Sequence, residues 1–319
     1  QIYEARRNNL KVKTLRPWDL DVDPFGRLPL KPFSEVSELK NTVLTILNKV
    51  DKRVGQYFQT MIRENLLDLD NRKNKAPGGY CTSFEASKQP FIFMNAVGLH
   101  QDVITLLHES GHAVHSFESS KLPLYQQRQV NMEFAEVASM AMELLSAPYL
   151  SKQEDGFYDK SDTARARKKH LEDIILFLPY MAVVDGFQHW VYENPNDALN
   201  PDNCDKQWSK IWNRFITGYD WTGFEDAMAT GWHRKLHIHL EPFYYVEYGL
   251  AQLGACQVWA NALKDQSKAV ADYLKALALG GTQSLPNLFA AAEAKFAFDT
   301  NTLKPIVELI EQKIKSFES

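Results

Sequence analysis

Apolar residues in this chain recur mostly at helical spacing. The segment SEVSELKNTVLTILNKV places Val36, Leu39, Val43, Ile46 and Val50 near one face, which predicts a helix capped by Ser34. A second helix is expected over residues 54–67, and the opening residues 2–10 also read as helical. Between them, four prolines from Pro17 to Pro32 predict an extended connection, because proline fixes φ and carries no N–H donor. Residues 68–79 are polar and end in Pro77-Gly78-Gly79, a turn signal. Two short runs, 80–84 and 90–95, read as strands. Helical period then dominates, with helices expected over 103–118, 130–145, 164–192, 205–217, 242–263, 269–278, 285–297 and 303–317. Pro179 is expected to kink the third of these. The pattern gives a mainly α fold with a small β element just ahead of the helix over 103–118.

Composition narrows the setting. A chain of 319 residues with 45% hydrophobic and 24% charged residues can bury a sizeable core. Thirty-six basic against 40 acidic residues give a net charge of -4, which speaks against a nucleic-acid partner. The longest apolar run, 174–184, falls short of the roughly 20 residues of a membrane span. Cys81, Cys204 and Cys256 are widely spaced and form no CxxC pair, so reduced thiols and a cytoplasmic location are expected. The chain starts at Gln1, inside a helical pattern with no N-cap residue ahead of it, which suggests a longer protein with a further N-terminal part.

The most informative helix reads TLLHESGHAVHSF and contains His108-Glu109-Ser110-Gly111-His112, an HExxH pattern. Positions i and i+4 lie one above the other on a helix, so two imidazoles can share one metal ion. Glu109 sits beside that line, where it can take a proton from water at the ion without ligating it. Imidazoles around an ion with an open position suit zinc. Chance alone gives this pattern in about one or two chains per hundred of this composition. The alternative is an amphipathic helix with His and Glu in solvent. Leu106, Leu107, Ala113, Val114 and Phe117 argue instead for a buried helix, where unpartnered polar groups are costly. Gly111 costs about 1 kcal/mol against alanine unless something must approach the backbone.

A third ligand is needed. The segment VNMEFAEVASMAMELL carries Glu136 and Glu143 on nearly one line of a helix buried on most sides, with Glu133 to one side. Spacing leaves Glu136 and Glu143 as comparable candidates and Glu133 as a weaker one.

HESGHAVHSF followed by EVASMAMELL resembles the zinc metallopeptidases of the thimet oligopeptidase and oligoendopeptidase F group, which carry HExGHxxH and a later ExxSxxxE helix. KAPGGYC (75–81), PFIFMNAVG (90–98) and HIHLEPFYYVEYGLAQ (237–252) match as well, and RPWDLDVDP resembles the oligoendopeptidase branch. The resemblance implies one zinc ion on His108, His112 and Glu136, with Glu109 as general base and Glu143 orienting a ligand. It implies a zincin-like catalytic domain over residues 34–319 joined by a connecting segment, 1–33. Family members usually carry a further helical portion ahead of this region.

Amide hydrolysis builds negative charge on the former carbonyl oxygen, which needs donors besides the metal. With the resemblance, His237 and Tyr248 are expected there, with Tyr245 third; an aromatic packing stripe is the alternative. Tyr244 is assigned to substrate binding. Gly78, Gly79 and Tyr80, with Phe93 on the following strand, offer an edge to which an extended peptide can add as a strand, or simply form a hairpin. His115, three residues after His112, could touch the site but reads as a packed helix histidine, and His239 reads as structural; His100, His170, His189 and His233 carry no assigned chemistry. The expected function is zinc-dependent endopeptidase hydrolysis of short peptides. The alternatives are a dipeptidyl carboxypeptidase with the same chemistry and a helical interaction module with a structural metal.

Overall fold

The computed structural model describes residues 1–317, and the chain divides into two compact units. One comprises Pro29–Leu171 and the chain from Leu250 onward; the other comprises Gln1–Leu28 and Glu172–Gly249.

In the larger unit, helices Val36–Val50 and Lys52–Arg63 are joined only by Asp51, whose carboxylate accepts from the Arg53 N–H and caps the second helix. Leu39, Val43, Ile46 and Val50 are buried, as their spacing predicts, but the first helix begins after Glu35 rather than at Ser34. The second stops at Arg63, short of the expected 67, because Asn65 adopts a left-handed φ of 55°. The chain then enters a strand, β1 (Leu67–Asp70), that the sequence pattern did not predict. It pairs parallel with β3 (Gln89–Ala96), and β2 (Tyr80–Phe84) pairs antiparallel on the other side of β3. Along β3, Pro90, Ile92, Met94 and Ala96 are buried in alternation. β2 is therefore an edge strand, and most of it is exposed.

The helix His100–Ser119, termed the motif helix, comes directly after β3. Asp102 fixes its start: one carboxylate oxygen accepts from the Val97 and Leu99 N–H groups at 2.8 and 2.9 Å. After a single helical turn at Tyr125–Arg128 comes Met132–Ser146, the ligand helix, buried through Phe134, Val137, Ala138, Ala141, Leu144 and Leu145. Helices Gln266–Leu277, Leu285–Ala291 and Thr300–Ser316 also belong to this unit. The second of these ends at Ala291 rather than the expected 297, since Glu293 is left-handed at φ 54°.

His115, on the motif helix, is 5% exposed and its Nε2 has no hydrogen-bond partner. Burial, then the nearby His112, pulls its pKa down to about 3. The unfolded chain takes up this proton below about pH 6.5 while the folded chain refuses it, so stability is lost as pH falls from about 6.5 toward about 3. His115→Phe should therefore lose less denaturation free energy than the native chain between about pH 7 and pH 5. An equal loss in both would contradict this.

In the smaller unit, Arg16 pairs with Asp220 at 2.7 Å and its guanidinium lies over Trp18, which pins the RPWD segment to the fold. Pro17–Asp19 forms a single 3-10 turn, as a proline-rich connection allows. The core gathers Val183, Val184, Phe187, Trp208, Trp212 and Tyr245. The helix Lys160–Glu193 begins in the larger unit, enters this one at Glu172 and runs through Pro179 without ending. By length and composition alone it could cross a membrane. Its apolar stretch is only partly buried, chiefly at Val183, Val184 and Phe187, with Phe187 edge-on to Trp208 at 5.3 Å.

Candidate metal centre

The motif and ligand helices meet backbone to backbone at Gly111. A Cβ there would lie 2.5 Å from the Ala138 carbonyl oxygen and 2.6 Å from Ser139 Cα. The Tyr273 hydroxyl donates to that same Ala138 carbonyl at 2.7 Å, inside the core. Helix propensity alone would make Gly111→Ala stabilising by about 1 kcal/mol. Contact with rigid backbone predicts the opposite sign, a net loss of about 1–3 kcal/mol. Thermal unfolding separates the two, and any metal affinity of the site should fall with stability as the helices part.

This close approach carries Glu136 to the imidazoles. Glu136 Oε2 is 3.3 Å from His108 Nε2 and 3.7 Å from His112 Nε2, and one ligand atom from each residue lies within 4.8 Å of the others. Ligand atoms about 2.1 Å from a tetrahedral zinc lie about 3.4 Å apart, so these three residues can hold such an ion. The other ring nitrogens are occupied. His108 Nδ1 meets Glu143 Oε1 at 2.6 Å, and His112 hydrogen-bonds the Ala135 carbonyl. Both rings are thereby turned with Nε2 toward Glu136. Ser139 Oγ donates to Glu136 Oε2 at 2.9 Å and orients the carboxylate. Glu136 is 4% exposed while both imidazoles remain partly accessible, which leaves an open side.

Electrostatics fit a cation. Burial opposes a charge on His108, but hydrogen bonds to Glu136 and Glu143 outweigh it and lift its pKa to about 10. The site thus holds a proton where a metal would compete for it. His112 is held near 4, chiefly by burial, in the neutral form that ligates metals. Burial would raise Glu136 and Glu143, yet the histidines keep both below the usual carboxylate range, Glu143 at about 2.

Glu109 is buried beside the ligand line, at 7% exposure. Burial first, with Glu136 and Glu143 adding to it, pushes its pKa up to about 7, against the His108 charge and a hydrogen bond from the Cys81 backbone N–H. A nearby cation would pull in the downward direction. A carboxylate with proton affinity in this range can both accept and return a proton.

The KAPGGYC segment is held against the sheet. Lys75, its side chain 1% exposed, donates to the Asp68, Asp70 and Met94 carbonyls and lies over Phe93. Asn95 donates to the Ala76 and Gly78 carbonyls. Gly78 has φ 99°, a conformation that favours glycine. At Gly79 a Cβ would crowd Thr105 at 3.2 Å. Tyr80 stacks on Phe93 with centroids 5.0 Å apart. Ser83 Oγ and Ser116 Oγ, 2.7 Å apart, tie β2 to the motif helix. A cavity of about 360 Å³ opens here, lined by Thr82, Ser83, His112, His115, Ser116 and Arg128 among others.

His237, Tyr244, Tyr245 and Tyr248 belong to the smaller unit and form a cluster there. The His237 ring lies 5.7, 5.3 and 5.8 Å from those of Tyr244, Tyr245 and Tyr248. Tyr245 packs into the aromatic core, while Tyr244 and Tyr248 are half-buried. Phe243, at φ 62°, delays the helix Tyr245–Ala262, which starts three residues later than Pro242 suggests.

Sequence reasoning left two contributors unassigned. His170 Nε2 meets Glu143 Oε2 at 2.9 Å, and the Cys81 backbone bonds Glu109. No spacing rule joins residue 170 to a carboxylate on another helix.

Known proteins resemble the chain along most of its length. The sequence model described as "Peptidase family M3" matches residues 1–307. An oligoendopeptidase F homolog of Borreliella burgdorferi is 22% identical over 292 residues, covering 88% of this chain and 47% of that protein. Oligopeptidase PepF of Bacillus subtilis is 23% identical over 274 residues, covering 83% and 39%. A solved structure of PZ peptidase A with an inhibitor superposes with TM-score 0.89 at 32% identity, covering 99% of this chain and 55% of that one. The chain thus spans about half the length of the relatives it matches.

Proposed function

The chain belongs to peptidase family M3, and on that premise we propose that it carries the active centre of a zinc-dependent oligoendopeptidase acting on short peptides. The convergence of His108, His112 and Glu136, with Glu109 buried beside them, carries this reading. Three protein ligands with an open side is the arrangement of a catalytic zinc rather than a closed structural one. Bound zinc would polarise the scissile carbonyl and make water a stronger acid.

The chain's own groups do the rest. Glu109, oriented by the Cys81 N–H, takes the proton of the attacking water and returns it to the leaving amine. Glu143 keeps the His108 Nε2 aimed by holding its Nδ1. The exposed edge of β2 offers backbone groups to an extended peptide, with Gly78 and Gly79 allowing close approach and Tyr80, Phe93 and Tyr244 contacting it. His237 and Tyr248, with Tyr245 third, are assigned to the tetrahedral oxyanion.

The test is cleavage of internally quenched short peptides by the zinc-loaded chain, with product masses read out. Internal cuts support the proposal. Release of C-terminal dipeptides alone would make it a dipeptidyl carboxypeptidase. Intact peptides in the presence of stoichiometric zinc would contradict it for this chain.

A further inference from the structure

We propose that His170 is a positioning residue for the metal centre, acting through Glu143 to hold the His108 imidazole in its ligating orientation. The inference rests on the zinc reading and deepens it.

Glu143 is buried and has two oxygens to satisfy. Oε1 takes the His108 Nδ1 at 2.6 Å and Oε2 takes the His170 Nε2 at 2.9 Å. The carboxylate is therefore clamped between two imidazoles, one from the motif helix and one from the helix Lys160–Glu193. A carboxylate anchored at one oxygen alone can still rotate about its side-chain torsions and carry the His108 ring with it. Anchored at both, its plane is set, and so is the direction of the Nδ1–H bond. That direction fixes where Nε2 of His108 points, 3.3 Å from Glu136 Oε2. His170 is not among the three ligating residues and has no other part in the proposed chemistry. Removing it leaves Oε2 of a buried anion without this donor, and the anion is then free to turn toward other donors and release His108.

Zinc affinity in chelator competition tests the reading, independently of any peptidase assay. His170→Ala should weaken zinc binding roughly tenfold, the lower end of what partners of metal ligands contribute. His170→Gln places an amide N–H where Nε2 stood and should restore affinity to within about threefold. His170→Asn is too short and should behave like alanine. A double-mutant cycle isolates the route: in a Glu143→Gln background, His170→Ala should have little further effect. Unchanged zinc affinity in His170→Ala would overturn the proposal. So would a loss of equal size in the Glu143→Gln background, which would mean that His170 acts on general packing. If the native chain binds zinc but cleaves nothing, the peptidase reading fails while this cycle still gives its answer.

Discussion

Glu109→Gln is expected to bind zinc as the native chain does and to hydrolyse peptides about 10²- to 10⁴-fold more slowly, the contribution of a positioned general base. The substitution keeps the shape and the acceptor oxygen that meets the Cys81 N–H. It removes only the ability to take a proton. The three side chains placed to hold a metal are His108, His112 and Glu136, so on the proposed reading zinc content should stay at one per chain. Removing a buried negative charge also relieves repulsion with Glu136 and Glu143, so the fold should be no less stable. Zinc analysis, peptide turnover and a melting curve on the same preparation check all three points. Native-like turnover would remove Glu109 from the chemistry.

Glu136→Ala is expected to lose zinc and with it all measurable turnover. Structural zinc sites bind with about 10–16 kcal/mol over four ligands, or about 3 kcal/mol each, so one lost ligand weakens binding by at least about 10²-fold. The loss is expected to extend further, because the Glu136 carboxylate brings the only negative charge among the three candidate ligands. Dialysis against a weak chelator should strip the variant and leave the native chain loaded. Glu143→Ala should have a smaller effect on affinity, since its carboxylate reaches the centre only through His108. That ordering separates the two carboxylates that sequence spacing alone left equal.

The parts of this centre written into local sequence were legible. HExxH is a statement about i and i+4 on one helix, and the buried character of residues 132–146 follows from their own composition. The cost of Gly111 inside a helix pointed to a close backbone approach, and the Ala138 carbonyl oxygen lies 2.5 Å from where a Cβ would be. β2 and β3 showed as short strand-like runs following the Pro77-Gly78-Gly79 turn signal. β1 did not, because LDLD is a short segment that gains its order from parallel pairing with β3, well further along the chain. Parallel pairing leaves no mark in a single short segment. Helix ends shifted where Asn65 and Glu293 take left-handed conformations, which Asn tolerates better than most residues and which Glu gives no sign of. His170 is the clearest case of tertiary information. Its chemistry depends on a carboxylate carried by a different helix, and nothing around residue 170 differs from an ordinary half-buried helix face.

The most direct test is a zinc-edge anomalous difference map from crystals of the zinc-loaded chain. One strong peak is expected, about 2.0–2.2 Å from a nitrogen of His108, a nitrogen of His112 and an oxygen of Glu136, with Glu109 outside that sphere. A peak that excludes Glu136, or that lies away from both imidazoles, would contradict the metal centre on which the proposed function stands.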